Sequence, residues 1–306
     1  MHAHHSEAMR IPVLRTDRTR TLTYWIVTVI LALGCFGGAL MGSLQMEPFL
    51  GIITHLGYPP YLISILGVWQ LLAGVALLAP RLPRLKEWTY AGLIFNYTGA
   101  AVSHLAAGDR AKALLGPIAF ALLTLLSWAL RPFPRRDLSS PEGSGAPSRI
   151  RSVAYWIFTL MAAAEMVAGS VWDVLRIEYV RAIFAHLGYP LFLLSILAAW
   201  KLPCAAVLLA PRFPRLKEWA YAGAVFNYSG AAASHLSVGD GPSIWAGPLI
   251  FAAITLASWA LRPPERRYEQ GRSPPLRPSA WIVPAGLLVA LLLLSFLTLP
   301  KGAPPP

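Results

Sequence analysis

PRLPRLKEWTYAG (residues 80–92) returns as PRFPRLKEWAYAG (residues 211–223), with its prolines, basic residues, glutamate and tryptophan in the same places. Each copy runs from a basic cluster into an apolar stretch, as a chain does where it enters a membrane helix from the cytoplasm. Working outward, one offset of 131 residues pairs Tyr24-Trp25 with Tyr155-Trp156 and HLGYP at 55–59 with HLGYP at 186–190. The same offset pairs Trp69 with Trp200, FNY at 95–97 with 226–228, SHL at 103–105 with 234–236, and SWALRP at 127–132 with 258–263. The register never slips, so the chain is one unit written twice.

Composition states what kind of unit it is. Of 306 residues, 56% are hydrophobic and 13% charged. Stretches such as 24–46 and 280–299 reach the ~20 apolar residues that cross a bilayer. Each unit offers four spans, at 24–45, 61–79, 87–107 and 113–130 and at the same numbers plus 131; a ninth, 280–299, has no counterpart. The expectation is an all-α membrane protein: two four-helix transmembrane bundles and one extra C-terminal helix, nine spans in all. Its parts are a tail (1–23), a first unit (24–132), a linker (133–154), a second unit (155–263), a linker (264–279), the ninth span and a short tail (300–306). The first span has a mid-chain counterpart at 155–174, so both read as permanent helices and not as a signal peptide.

The net charge of +12 would suit nucleic acid if it were clustered. Instead, 20 of the 26 Lys and Arg residues fall in alternate loops. That is positive-inside topology with a cytoplasmic N-terminus, and no nucleic-acid partner follows. Four spans is an even number, so both units enter in one orientation, as an internal pseudo-dimer about a pseudo-twofold axis along the membrane normal. Cys35 and Cys204 are the only cysteines, at non-equivalent positions, and offer no disulfide, CxxC or zinc spacing.

In order, Y-W, HLGYP, a Trp followed by Gln or Lys, PRxPRLKEWxYAG and SHLxxGD resemble the DoxX-like family of bacterial four-helix membrane proteins, over residues 24–132 and 155–263. The resemblance implies a multi-pass protein of the bacterial cytoplasmic (inner) membrane, an accessory subunit of a quinone-linked or thiol-redox system. A quinone would be its cofactor, and membrane or peripheral redox proteins its partners beside the lipid bilayer. Two fused copies and an added helix depart from the single unit. The residues themselves leave two other readings open: a transporter or binding protein for a small molecule or lipid, using the polar centre of the bundles, and a scaffold without chemistry of its own.

Two constellations carry candidate chemistry. Glu165 and Lys201 lie mid-span, where a lone charge costs about 3 kcal/mol, so they are expected to pair. The first copy has Gly34 and Gln70 there, lacking both charges together. Asn96 and Asn227 reach the same depth and suit interhelical hydrogen bonds or a ligand pocket. Toward the outer face, Phe49, Ile52, Ile53 and Leu56, and again Val180, Ile183, Phe184 and Leu187, make the apolar stripe of a short interfacial helix. Gly57 and Gly188 are set to end it in a left-handed cap. His55, His104, Asp109 and Glu47, with His186, His235, Asp240 and Glu178, are then at similar depth. Such groups hydrogen-bond loops, relay protons, cap a ligand or bind a transition metal. Their long-range spacing matches no metal motif, so no metal ligands are assigned, and neither unit has a second intramembrane histidine for axial haem ligation. Lys86-Glu87 and Lys217-Glu218 read as headgroup-level topology and helix capping, and the His2–His5 tail as a weak metal signal. No phosphate loop, catalytic triad or cysteine redox motif is present, which leaves no assigned catalytic residue and no enzyme class.

Overall fold

The structure is a computed structural model that describes residues 11–80, 82–132, 148–263, 278–300 and 302, with backbone alone at 11–17 and 278. Among these residues every regular element is a helix. The first unit comprises α1 (Ile11–Ser43), α2 (Phe49–His55), α3 (Tyr61–Leu78), α4 (Pro83–Ala106) and α5 (Ala111–Leu130). The second repeats it as α6 (Arg149–Leu175), α7 (Glu178–Leu187), α8 (Phe192–Leu209), α9 (Pro214–Ser237) and α10 (Pro242–Leu261). A 3-10 turn at Pro278–Trp281 leads into α11 (Ile282–Leu297).

Two helices start inside stretches that the apolar pattern left outside the units. α1 begins inside the stretch assigned as a tail, and α6 inside the stretch assigned as a linker. For α6 the cause is a cap: Ser148 Oγ accepts the Arg151 backbone N–H at 3.3 Å. The His2–His5 tail and most of both linkers lie outside the described residues.

Among the described residues, seven helices are long and apolar enough to cross a membrane: α1, α3, α5, α6, α8, α10 and α11. The other two of the nine long helices, α4 and α9, have 24 residues each, about 36 Å at 1.5 Å per residue, but are more polar. They occupy the centre of the molecule, where α4 packs on α9, α3 on α9 and α4 on α8. A helix that other helices shield from lipid can carry Asn, Ser and His at little cost. Inside each unit α1 packs on α3 and α5, and α6 on α8 and α10; α11 lies against α6 and α8.

Hydroxyl nodes tie each unit together, and small residues bring α1 against α3 in the first. Ser127 Oγ lies 2.8 Å from both Thr28 Oγ1 and Tyr90 Oη, joining α1, α4 and α5; Ser258 joins Thr159 and Tyr221 in the same way. α1 and α3 touch backbone to backbone at Gly42 and Gly67, where a Cβ on Gly42 would stand 2.6 Å from the Ile63 carbonyl oxygen.

Between the units, contacts recur with the two copies exchanged. Phe95 packs edge-on against Trp200 at 4.7 Å between centroids, and Phe226 against Trp69 at 4.8 Å. At the HLGYP end the two copies of that motif face each other. Tyr58 and Tyr189 meet at 6.2 Å, Tyr61 donates to the Leu187 carbonyl at 2.7 Å, and Gly57 and Gly188 each look onto the other motif's proline. Gly57 and Gly188 do adopt positive φ, +79° and +73°. The N–H of the following tyrosine returns to Ile53 or Phe184, which is the expected left-handed stop.

Candidate functional site

At the opposite end Lys86, Glu87, Lys217 and Glu218 of PRLKEW are buried, not spread on a headgroup surface. Glu87 accepts the indole N–H of Trp128 from its own unit and of Trp219 from the other, both at 3.0 Å, and pairs with Arg131. Glu218 does the same with Trp259 and Trp88, both at 2.9 Å, and Arg262. Lys217 Nζ donates to the carbonyls of Val207, Leu208 and Ala210, which close α8; Lys86 donates to Leu77 at the end of α3. The capping expectation is thereby corrected. Glu87 and Glu218 stand beyond the first helical turn, and a guanidinium with two indole donors offsets the desolvation of each. PRLKEW and SWALRP recur together because the Trp and Arg of one bond the Glu of the other.

Between the units opens a cleft of about 2480 Å³ with predominantly apolar walls, against roughly 300–1,000 Å³ for an ordinary small-ligand site. Gln70, Asn96, Glu165, Lys201 and Asn227 all line it. So do Phe49, Ile52, Ile53 and Leu56 of the α2 stripe and Ile183, Phe184 and Leu187 of the α7 stripe. The amphipathic faces of the two short helices therefore front the cleft.

The mid-depth charges are paired differently from the expected Glu165–Lys201 bond. Lys201 Nζ bonds Asp173 Oδ2 at 2.8 Å, while Glu165 accepts the Tyr228 hydroxyl. Gly169 makes the arrangement possible. A Cβ there would lie 3.2 Å from Lys201 Nζ and 3.5 Å from Glu165 Oε1, so the ammonium rests over bare backbone between the two acids. In the first unit Gln70 rests over Gly38 in the same way. Asp173 and Tyr228 were missed by the sequence reading. Asp173 was open to the comparison that singled out its neighbours, for the first copy has Gly42 there, and all three charges are absent together. Asn96 and Asn227 make no side-chain hydrogen bond among the described residues, contrary to the expected interhelical bonds.

At the HLGYP end each histidine pair converges on one aspartate, the residue after the glycine that ends the SHL helix. His55 Nε2 and His104 Nδ1 lie 2.8 and 2.7 Å from Asp109 Oδ1 and Oδ2. His186 Nε2 lies 2.9 and 3.0 Å from the two oxygens of Asp240, and His235 Nδ1 2.6 Å from Oδ2. Hydrogen bonds from His104 and then His55 hold the Asp109 carboxyl below the usual carboxylate range, and His235 leads the same effect on Asp240. Glu47 and Glu178, grouped with these residues by depth, stay apart. Glu47 accepts the Gly51 N–H at 3.1 Å at the start of α2, and Glu178 opens α7, at the far end from His186. His104, His186, His235 and Asp240 also line the cleft.

The profile of the DoxX-like family matches residues 26–127 and again 157–258, more than half of the chain. The chain belongs to the DoxX-like family. No curated protein and no solved structure matches it. This DoxX-like chain is a tandem duplication with membrane-spanning helices, and it contacts a lipid bilayer. Both DoxX-like matches stop short of Arg131 and Arg262, and α11 lies outside them altogether.

Proposed function

We propose that this DoxX-like protein holds a lipid-soluble molecule with a flat, hydrogen-bonding head, of which a quinone is the fitting class, in the cleft between its two units. It acts there as an accessory subunit of a quinone-linked or thiol-redox system in the bacterial cytoplasmic membrane. The observation that carries this reading is the large apolar cleft with a few polar groups gathered at mid-depth. A quinone has two carbonyl acceptors and a long apolar tail. Lys201, Asn96, Asn227 and Gln70 offer donors to the carbonyls, and Trp69 and Trp200 offer flat walls.

The same proposal sets the protein in the bilayer with nine spans, its N-terminus in the cytoplasm and its units about a pseudo-twofold axis along the membrane normal. The lengths of α4 and α9, the alternate-loop cations and the exchanged contacts between units support it.

The test titrates the protein in lipid nanodiscs with a short-chain ubiquinone or menaquinone analogue and reads quenching of indole fluorescence. Saturable quenching that weakens at least tenfold in Asn227→Leu supports the reading. Quenching that is linear in quinone, or unchanged by that substitution, removes it. Solute uptake into proteoliposomes by the single chain would favour the transporter instead.

A further inference from the structure

The two histidine–aspartate clusters are not equivalent. In the first unit His55 and His104 take different oxygens of Asp109, so the carboxylate stands between them as a bridge. In the second unit both histidines approach the same oxygen, Asp240 Oδ2, at 3.0 and 2.6 Å. One donor atom from each of His186, His235 and Asp240 lies within 4.8 Å of the others. The imidazoles stack with centroids 6.5 Å apart and planes 29° apart. We propose that His186, His235 and Asp240 bind one borderline divalent transition-metal ion, zinc or a first-row neighbour, at the HLGYP mouth of the cleft.

The donor chemistry selects the ion. Two imidazoles and a carboxylate suit zinc and its neighbours, whereas magnesium and calcium take all-oxygen sites. Bonds of about 2.0–2.2 Å in a tetrahedron set donor atoms roughly 3.4 Å apart. The short nitrogen–oxygen separations open by under about 1 Å and the two imidazoles close on the ion. His186 has the freedom for this movement, with its side chain 53% exposed at the end of α7, while His235 and Asp240, 11% and 10% exposed, are held. Three protein donors leave a fourth position open, and all three residues line the cleft, so an exchangeable ligand reaches the ion from there.

Charge explains why the second unit and not the first is the site. Arg110 follows Asp109 directly and adds a cation beside the first cluster, whereas Gly241 follows Asp240. His55 and Asp109 also stand outside the cleft lining.

The experiment uses the full chain with His2, His4 and His5 replaced by alanine, so that the tail contributes no metal. The protein in detergent is stripped with a chelator, equilibrated with zinc, desalted and assayed by elemental mass spectrometry; cobalt(II) absorption reports geometry. The expected result is one zinc per chain, retained in His104→Ala, lost in Asp240→Asn, and lost in His186→Ala, whose exposed side chain can go without disturbing the fold. Thermal unfolding of each metal-free variant checks that it is folded. No retained zinc, or zinc that survives His186→Ala in folded protein, overturns the proposal. Two zinc ions per chain, with the second lost in His104→Ala, overturn the preference for the second unit.

Discussion

Trp219 of the second unit donates its indole N–H to Glu87 of the first at 3.0 Å, and Trp88 returns the bond to Glu218 at 2.9 Å. The two repeats thus share their buried acids, each glutamate being satisfied by tryptophans from both halves of the chain.

Removing Glu87 should cost more than removing its partner across the interface. Glu87→Gln leaves Arg131, which is 1% exposed, without its carboxylate, and breaking such a pair costs about 3–5 kcal/mol. Trp219→Phe deletes one donor from an acid that keeps Arg131 and Trp128, at about 1–3 kcal/mol. Thermal unfolding in detergent should rank them in that order; equal losses would mean the guanidinium contributes nothing.

The Lys201–Asp173 pair predicts a compensating double change. Lys201→Gln alone leaves Asp173, which is 4% exposed, and the neighbouring Glu165 without a cation, at about 3–5 kcal/mol. Adding Asp173→Gly, which completes the first unit's residues at both places, should recover a good part of that loss. If the double variant melts no higher than the single one, the two side chains are not coupled.

Gly42 should tolerate no side chain, because the added Cβ meets the Ile63 carbonyl and not a movable side chain. Gly42→Ala is expected to lose about 1–3 kcal/mol as α1 and α3 move apart. Gly99→Ala, with nothing within 4 Å of its added Cβ, should be neutral or gain up to about 1 kcal/mol of helix propensity. A Gly42→Ala protein as stable as the Gly99 variant would disprove the close crossing.

Acid should loosen the Asp109 clasp. The folded carboxyl titrates below its unfolded value of about 3.9, so its contribution is complete above that value and is lost as pH falls through the lowered folded one. The melting temperature of Asp109→Asn, measured downward from about pH 5, should fall less steeply than that of the unaltered protein. Parallel acid limbs would count against the clasp.

Much of the architecture was legible from residues alone. The unbroken offset of 131 identified the repeat, apolar length located the helices, and Gly57 and Gly188 marked the turns where they were found. These are local properties: span length, helix stops and repeat register depend on neighbours in the chain. The candidate sites were legible only in part. Mid-span depth grouped Glu165, Lys201, Gln70, Asn96 and Asn227, which all line one cleft, but their partners were set by rotation about the helix axes. A depth estimate carries no angle, so it could not choose Asp173 over Glu165 for Lys201, nor keep Glu47 and Glu178 away from the histidines.

By itself, then, the sequence determined that this is a duplicated, membrane-embedded helical protein with histidines repeated at one end and tryptophans at the other. Only the tertiary structure decided that the copies face each other, with Glu87 and Glu218 reaching tryptophans across the seam and HLGYP meeting HLGYP. The reason is physical: contacts more than a hundred residues apart depend on which faces the helices turn to one another. That choice is settled by packing a whole bundle at once, with every buried charge and indole N–H needing a partner.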